Sequence, residues 1–281
     1  MKIGITGSSG LIGSRFILKY GPKYDLIPFS GDMTNLEDVN KFMKLDFDII
    51  FHLASVIPKY DVTGIPIYQS FSSNLLGTKN IAKAASKFNT KVIFTSTQKV
   101  YENKNQVKIT EDDKLKSDNK DEYGKSKIES EKILNNFLQP NNFVILRISN
   151  IYGGFPIRFS IIDSIAKSLI LDKEVKIGLD IKILRDYIHI DDLLTALNLS
   201  INHKGIFNIC EGKSYDGVDL TNFFKITSGK IPKIIFGNNS PNDIVLDNTK
   251  AKNEMGFIPK YNLSEGIKNI LFDMKKYYEK K

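Results

Sequence analysis

Two residues four positions apart could together remove a proton from a hydroxyl group. Tyr123 and Lys127 lie in the segment Tyr-Gly-Lys-Ser-Lys, and the helical pattern continues beyond it. Both side chains therefore project from one face of a helix. A phenol with a pKa of about 10 is a weak base at neutral pH, but a neighbouring ammonium favours its phenolate form. This spacing is also common on surface helices, so a catalytic role requires a partner elsewhere in the chain.

Such a partner stands at the end of a predicted strand. The run Phe94-Thr95-Ser96-Thr97 closes an apolar, β-branched stretch, and Thr97 is its last residue. Ligands and reactive groups collect at the carboxyl edge of a doubly wound sheet. Thr97 could therefore hydrogen-bond a reacting oxygen while Tyr123 takes its proton and hydride leaves the same carbon.

A glycine-rich turn near the N-terminus has the pattern of a phosphate cradle. The first predicted strand runs directly into Thr-Gly-Ser-Ser-Gly-Leu-Ile-Gly, residues 6–13, and a helical pattern follows. Glycines let the backbone approach a pyrophosphate, whose charge is stabilised by the free N–H groups at the start of the helix. The residues predicted to bind a dinucleotide cofactor here are Gly7, Ser9, Gly10, Leu11, Ile12 and Gly13.

The second predicted strand leaves the choice of dinucleotide open. It ends Pro28-Phe29-Ser30, without the acidic residue that commonly binds the adenosine ribose and without an arginine for a 2′-phosphate. NAD and NADP are therefore both possible cofactors. Asp32 comes slightly later and suits a contact with the adenine amino group, and we also assign the adjacent Met33 to the cofactor site.

The sequence pattern predicts an α/β fold, a Rossmann doubly wound parallel sheet with a second, smaller mixed α/β substrate lobe. Short runs rich in Ile, Val and Phe alternate with helical stretches, as expected of strand–helix–strand units with right-handed crossovers. The predicted strands of the sheet cover residues 2–6, 25–29, 48–53, 91–96 and 143–148. The helices between them are predicted at 11–20, 36–44, 70–88 and 122–137.

The alternation weakens in the second half of the chain. We predict a dinucleotide-binding domain over residues 1–153 and an interleaved substrate-binding lobe over 154–281, with segments near 181–210 returning to the first domain. The polar stretch 102–121 is predicted to be a solvated loop. Further elements are expected as a helix at 161–171, strands at 206–209 and 233–236, and a last helix from Ser264.

Composition and charge exclude several classes of protein. Apolar residues make up 41% of the 281 and charged residues 26%, as in globular proteins. The net charge of +8 comes from lysines scattered along the sequence, so we expect no nucleic-acid partner. With no leader pattern and no long apolar run, we expect a cytoplasmic protein without a membrane partner. The single cysteine, Cys210, cannot form an internal disulfide.

These motifs together resemble the extended short-chain dehydrogenase/reductase family, in its nucleotide-sugar-modifying epimerase/dehydratase branch. The resemblance starts from the glycine turn, from Thr97 with Tyr101 four residues later, and from Tyr123-x-x-x-Lys127. It continues over nearly the whole chain. The further matching segments are Phe51-His52-Leu53-Ala54, Asn74-Leu-Leu-Gly77-Thr78, Leu146-Arg147, Asn150-Ile151-Tyr152-Gly153, Arg185-Asp186-Tyr187-Ile188-His189 and Met255-Gly256-Phe257.

The resemblance implies an NAD(P)-dependent enzyme that acts on a nucleotide-activated sugar. It makes Thr97, Tyr123 and Lys127 the catalytic group, with Thr97 also binding substrate. It assigns Asn150 and Arg185 to the substrate's diphosphate. It further implies cofactor contacts from Leu53, Ala54, Ser55 and Asn74, in addition to Tyr123 and Lys127.

Other family properties follow in the same way. His52 and His189 belong to structural motifs of the family, and no metal site is expected. Family members commonly dimerise by packing two helices from each subunit into a four-helix bundle. We therefore expect a homodimer formed through the helices at 70–88 and 122–137.

The resemblance leaves more than one reaction open. Gln98 and Lys99 replace the Asp-Glu pair of the dehydratases, so 4,6-dehydration is not expected. Epimerases need only the catalytic group, and epimerisation at C4 is the reaction that we expect. The alternative is a 4-keto-6-deoxy-sugar reductase, which uses the same residues with a short second strand that Phe29-Ser30-Gly31-Asp32 resembles. An arginine expected within residues 237–243 is missing, so a diphosphate clamp would rest on Arg185, helped by Arg158 or a lysine. A cofactor-binding regulator is the remaining alternative, although the intact catalytic group argues against it.

Overall fold

Strands and helices alternate along the first half of the chain and supply most of a central sheet. The computed structural model describes residues 1–56, 70–102, 107–116, 121–156, 160–239 and 243–280. In chain order the elements are β1 (Lys2–Thr6), α1 (Leu11–Tyr20), β2 (Asp25–Pro28), α2 (Leu36–Met43), β3 (Ile49–His52), α3 (Ser70–Phe88), β4 (Lys91–Thr97), a 3-10 helix (Gln98–Val100), β5 (Val107–Ile109), α4 (Glu122–Phe137), β6 (Phe143–Ile148), β7 (Asn150–Tyr152), α5 (Ile161–Ile170), β8 (Val175–Leu179), β9 (Tyr187–His189), α6 (Ile190–Ser200), β10 (Gly205–Ile209), α7 (Gly217–Ser228), β11 (Ile234–Asn239), β12 (Val245–Leu246), α8 (Thr249–Met255) and α9 (Leu263–Glu279).

The central sheet has six parallel strands in the order β10-β6-β4-β3-β1-β2. The connection from β1 to β2 runs in one direction across the sheet, and the chain then returns to place β3 on the other side of β1. The predicted Rossmann architecture is confirmed. In such sheets, ligands bind at the carboxyl ends of the strands where the order reverses, which here lies between β1 and β3.

Apolar packing explains why the strands of this sheet read as continuous hydrophobic runs. Every residue of β3 and β6 is buried, as expected of parallel strands covered on both faces. One covering layer consists of α2, α3 and α4. Its core with the sheet includes Val39, Phe42, Met43, Ile50, Ile81, Ala85, Val92, Leu134 and Ile145.

The chain forms two compact units, each defined by the contacts among its own residues. The first comprises Met1–Glu102, Asp112–Arg147 and Leu197–Phe207, and the second comprises Asn103–Glu111, Ile148–Ala196 and Asn208–Lys281. In the second unit, the parallel strand pairs are β7 with β9, β8 with β11 and β5 with β12. An apolar core is shared there by α5, α7 and α9.

The expectation of a solvated loop over the whole of 102–121 was wrong. Within it the structure contains β5, which pairs with β12, and Ile109 is only 2% exposed. The two apolar residues of Val107-Lys108-Ile109 are spaced at the period of a strand, but they stand among charged residues. No helix in the described parts of the chain has the length and apolar character needed to cross a membrane.

Candidate active site

The end of β4 and the start of α4 position two of the predicted catalytic residues. Thr97 ends β4, and its Oγ1 accepts a hydrogen bond from the Lys99 backbone N–H at 3.3 Å, which caps the 3-10 helix. Asp121 caps α4 by accepting from the Tyr123 backbone N–H at 3.2 Å. Because α4 packs against both β4 and the 3-10 helix, the first turn of α4 lies beside the strand end that carries Thr97.

Lys127 is buried and fixed between the helix and the strand. Its Nζ donates to the Thr95 carbonyl oxygen at 2.8 Å, and it lies 5.6 Å from the centre of the Tyr123 ring and 4.5 Å from that of Phe94. Burial lowers the pKa of Lys127 to about 7, although the Glu131 carboxylate opposes the shift. Near neutral pH, Lys127 in the cofactor-free protein is therefore divided between its ammonium and neutral amine forms.

A second cation also lies near the phenol. Lys99 Nζ is 5.8 Å from the centre of the Tyr123 ring and forms an ion pair with Asp121 at 2.7 Å. In the sequence, Lys99 indicated only that dehydration is not expected. Its position beside Tyr123 depends on the packing of α4 against the strand end, which no local spacing predicts.

Behind this group lies a buried polar network that was not predicted from the sequence. Arg147 on β6 and Glu131 on α4 form an ion pair at 2.8 Å, and each side chain is 4% exposed. Ser96 donates to Glu131, and Arg147 donates to the Tyr101 hydroxyl at 3.0 Å. Two signals were present in the sequence: an arginine inside the apolar run of β6, and a glutamate one helical turn after Lys127.

The glycine turn has the geometry of an anion cradle. Gly7 has φ of +73°, and a Cβ placed there would lie 2.6 Å from the Ala54 backbone nitrogen. A Cβ on Gly13 would lie 2.3 Å from the Gly7 carbonyl oxygen. Gly10 caps α1 without a side chain, and the first turn of α1 has no acidic residue. The N–H groups and positive dipole end of α1 are thus available to an anion beside the end of β3.

The residues after β3 are held in place by α3. The Asn74 side chain accepts from the Val56 backbone N–H at 2.8 Å and donates to the Val56 carbonyl at 2.9 Å. Its amide is thus already used to fix the segment that contains Leu53, Ala54 and Ser55. The buried Ser55 hydroxyl has no hydrogen-bond partner among the described residues, which fits a polar ligand at this edge.

The residues after β2 form a turn. Asp32 accepts from both the N–H and the hydroxyl of Thr34 at 2.8 Å, and these hydrogen bonds lower the pKa of its carboxyl. The Met33 carbonyl accepts from the Asn80 side chain at 2.9 Å, and the Met33 side chain lies beside Gly77 of α3. Asp32 therefore presents an ionised, exposed carboxylate near the carboxyl edge of the sheet.

His52 is at the centre of a buried hydrogen-bonded chain beneath the glycine turn. Its two ring nitrogens contact the hydroxyls of Thr6 at 2.8 Å and Thr78 at 3.0 Å. The Ser130 hydroxyl donates to Thr78 at 3.2 Å, which extends the chain to α4. Burial, together with the charge of Lys127, lowers the pKa of His52 to about 3. The neutral imidazole thus links β1, β3, α3 and α4.

The two predicted diphosphate ligands lie in the second unit. Asn150 donates to the Asp186 carbonyl at 2.8 Å, where β7 pairs with β9. Arg185 is 8% exposed and donates to the Leu184 carbonyl at 2.8 Å, and burial lowers its pKa. Arg158 lies outside the described residues. Among the residues that are described, no group of three or more His, Cys, Asp or Glu side chains could hold a metal ion.

The fold and this site define a class of protein. A parallel doubly wound sheet with a glycine cradle at its switch point and a Thr-Tyr-Lys group at its carboxyl edge is typical of dinucleotide-dependent enzymes that transfer hydride. Residues 3–210 match the sequence model of the "NAD dependent epimerase/dehydratase family", and the chain belongs to that family. The family predicted from the motifs is thereby confirmed.

Individual relatives include enzymes of two kinds. The chain is 28% identical over 272 residues to UDP-glucose 4-epimerase of Bacillus subtilis, covering 86% of this chain and 79% of the relative. It is 31% identical over 194 residues to dTDP-4-dehydro-6-deoxyglucose reductase of Escherichia coli, covering 64% of this chain and 60% of the relative. The solved structure of UDP-glucose 4-epimerase from Thermotoga maritima with UDP-glucose superposes with a TM-score of 0.85, at 24% identity, over 99% of this chain and 100% of that one.

Proposed function

We propose that the protein is an NAD(P)-dependent nucleotide-sugar 4-epimerase. The observation that carries this proposal is the buried Lys127, which is bonded to β4 at Thr95 and lies against the ring of Tyr123. A fixed ammonium beside a phenol at the carboxyl edge of a dinucleotide-binding sheet suits proton removal from a sugar hydroxyl. The similarity to the Bacillus subtilis epimerase over 86% of the chain supports the choice of reaction.

Each member of the catalytic group has a separate role in this proposal. Tyr123 takes the proton of the sugar 4-hydroxyl and later returns it. Lys127 stabilises the phenolate of Tyr123, and the Thr97 hydroxyl hydrogen-bonds the reacting oxygen. A dinucleotide bound at the glycine turn would supply the hydride chemistry at the same carbon. Epimerisation would further require that the sugar can present either face of C4 in the site.

The residues present fit a dinucleotide. Gly7, Gly10 and Gly13 allow a pyrophosphate to approach the start of α1, with further contacts from Ser9, Leu11 and Ile12. We assign Asp32 and Met33 to the adenosine end, and Leu53, Ala54 and Ser55 to the edge of the site at β3. Asn74 would act through the backbone of Val56, which it already binds. Either NAD or NADP is compatible with this set.

Two further substrate contacts are proposed in addition to Thr97. Arg185 and Asn150 would bind the diphosphate of the nucleotide-activated sugar, and a cation suits that role because of its charge. We further propose that the protein is cytoplasmic and forms a homodimer through α3 and α4.

One experiment separates the epimerase from its alternatives. The purified protein is incubated with UDP-, dTDP- and GDP-sugars and their 4-keto derivatives, with NAD or with NADPH. Formation of the 4-epimer by NMR without net cofactor consumption is the expected result. Stoichiometric loss of NADPH with a 4-keto sugar would instead identify a reductase, which the Escherichia coli relative favours. Cofactor binding without turnover of any sugar would identify a regulator.

A further inference from the structure

Glu131 connects the three elements that lie behind the catalytic group. It stands one turn after Lys127 on α4, and Ser96 of β4 donates to its Oε1. Arg147 of β6 donates to it from Nε at 3.2 Å and from Nη2 at 2.8 Å. Ser96 immediately precedes Thr97, so one carboxylate joins the helix of Tyr123 and Lys127 to the strand end that carries Thr97.

The same ion pair also reaches the other side of Thr97. Arg147 Nη1 donates to the Tyr101 hydroxyl at 3.0 Å, and the guanidinium carbon lies 4.9 Å from the centre of that ring. Tyr101 directly follows the 3-10 helix that starts after Thr97. The short segment that carries Thr97 is therefore held at both ends, at Ser96 by Glu131 and at Tyr101 by Arg147.

Stability alone does not account for this arrangement. Glu131 and Arg147 each have a side chain only 4% exposed, so both charges are taken out of water. Such a pair is often no more stabilising than apolar residues of similar volume, although removal of one partner is costly. What apolar residues could not reproduce is the set of directed hydrogen bonds to Ser96 and Tyr101.

We propose that Glu131 is a positioning residue for the catalytic group, because its hydrogen bonds fix Thr97 relative to Tyr123 and Lys127. This inference rests on the proposed function in one respect, namely that these three residues form the reactive group. Glu131 touches neither substrate nor cofactor in this role and acts only through Ser96, Arg147 and Lys127.

The charge of Glu131 matters because Lys127 is buried. Burial favours the neutral amine of Lys127, and the Glu131 carboxylate raises the pKa of that amine in opposition. Among the described residues, the titratable groups that interact with Lys127 include Tyr123 and Glu131 on α4 and neutral His52 on β3. Two further cations act at one remove, since Arg147 of β6 contacts Glu131 and Lys99 after β4 lies by Tyr123.

Two variants separate the charge of Glu131 from its hydrogen bonds. Glu131→Gln keeps the shape and removes the charge, which leaves Arg147 unopposed and lowers the pKa of Lys127. The alkaline limb of the pH profile of kcat is expected to move to lower pH by about one unit. At pH values above the limbs of both proteins, kcat of the variant is then about tenfold lower than that of wild type. Ser96→Ala keeps the charge and removes one bond, so kcat should fall without a shift of that limb. In both variants KM for the sugar should change less than kcat.

Glu129→Gln is the matched control. Glu129 lies on the same helix, has a 38% exposed side chain and forms a surface ion pair with Lys132 at 2.7 Å. Glu129→Gln changes the net charge by the same amount as Glu131→Gln, and an exposed ion pair contributes little to stability. Wild-type kcat, pH profile and thermal unfolding are expected for this variant.

A readout independent of turnover completes the test. The ionisation of Tyr123 in cofactor-loaded protein is measured as the phenolate absorbance lost on Tyr123→Phe, in both the wild-type and the Glu131→Gln background. Because Lys127 loses its charge at lower pH in Glu131→Gln, Tyr123 should ionise at higher pH there. An unchanged Tyr123 titration and an unchanged alkaline limb in folded Glu131→Gln would overturn the inference.

Two further outcomes also test the role of Glu131. A shifted Tyr123 titration in a protein that turns over no sugar would support the positioning role and refute the proposed function. If Glu131→Gln does not fold, Ser96→Ala takes its place, and wild-type kcat and Tyr123 titration in that folded variant would overturn the inference.

Discussion

Lys127 donates from Nζ to the carbonyl oxygen of Thr95 at 2.8 Å, two residues before Thr97 on the same strand. This bond joins α4 directly to the strand end that carries Thr97, the third member of the proposed catalytic group. It also orients the ammonium, which lies 5.6 Å from the centre of the Tyr123 ring. The lysine thus has a structural contact and an electrostatic role at once, and substitutions should separate the two.

Tyr123→Phe should abolish turnover and leave cofactor binding intact, because only the proton carrier is removed. We expect kcat to fall by at least about a hundredfold, with the dissociation constant of the cofactor unchanged within about twofold. Tyr24→Phe is the control. It removes a different tyrosine hydroxyl, which donates to the Asn198 side chain at 2.8 Å. Wild-type kcat in Tyr123→Phe would show that another group carries the proton.

Lys127→Met should change stability in a pH-dependent way in the cofactor-free protein. The pKa of Lys127 is lowered from 10.5 to about 7 on folding, so the native state releases a proton between these values. The buried ammonium of Lys127 destabilises the native state fully below pH 7, and this destabilisation fades as the pH rises towards 10.5. The stability of Lys127→Met relative to wild type should therefore be highest below pH 7 and decline above it.

Urea unfolding from pH 6 to pH 10 measures this difference. Lys125→Met, at an exposed position of the same helix, should show a difference from wild type that stays constant with pH. A constant difference for Lys127→Met as well would mean that burial does not perturb Lys127.

Local patterns predicted most of the first unit because its elements are regular and locally specified. The strands β1 and β6 and the helices α1, α3 and α4 have the predicted bounds, since buried strands read as apolar runs and helices begin at recognisable caps. The cradle could be predicted because glycine itself carries the conformational signal. In the polar segment 102–121 the strand β5 was missed, because its pairing with β12 depends on a distant part of the chain.

The parts of the site that depend on packing between elements could not be predicted. Lys99 reaches Tyr123 only because the 3-10 helix packs on α4, and Glu131 meets Arg147 across a helix and a strand. Asn74 was assigned to the cofactor site from a family motif, and that role stays a prediction. Its bonds to the backbone of Val56 require the three-dimensional path of the segment after β3.

Gly13→Ala should damage the cradle. Its Cβ would lie 2.3 Å from the Gly7 carbonyl oxygen and 2.7 Å from the Ser8 Cα, both rigid parts of the turn. We expect a lower Tm and a loss of cofactor affinity of at least about tenfold, the cost of a backbone shift of roughly 1 to 3 kcal/mol. Calorimetric titration with NAD and a thermal scan measure the two effects.

Gly10→Ala is the matched control for the fold. Gly10 has φ of −74°, and a Cβ there would approach the Gly7 carbonyl oxygen only to 3.3 Å. Its Tm should stay close to wild type. Equal Tm values for the two variants would mean that the turn adjusts to a side chain at either position.

His52→Gln should change the acid sensitivity of the protein. The pKa of His52 is lowered from 6.5 to about 3 on folding, so the unfolded state alone binds the proton between these values. Wild-type stability therefore contains a contribution that is present above pH 6.5 and is lost as the pH falls to 3. At neutral pH the variant has a lower free energy of unfolding than wild type because it lacks the hydrogen bonds of the imidazole. This deficit in unfolding free energy should shrink as the pH falls.

Thr78→Val provides the comparison for His52→Gln. It removes a hydroxyl that contacts His52 at 3.0 Å without removing a titratable group. Its deficit in unfolding free energy should stay nearly constant from pH 7 to pH 4. A deficit of His52→Gln that is equally constant would contradict a buried neutral imidazole.

Leu76→Glu should disrupt the proposed homodimer. Leu76 lies on α3 and is 45% exposed in the single chain, whereas a four-helix bundle formed by α3 and α4 would take it out of water. A carboxylate at that position would be desolvated on association, which costs several kcal/mol per ion. We expect light scattering at micromolar concentration to show a dimer for wild type and a monomer for the variant.

Leu18→Glu on α1, where Leu18 is 76% exposed, should remain dimeric. A monomeric wild type, or a dimeric Leu76→Glu, would rule out association through this face of α3.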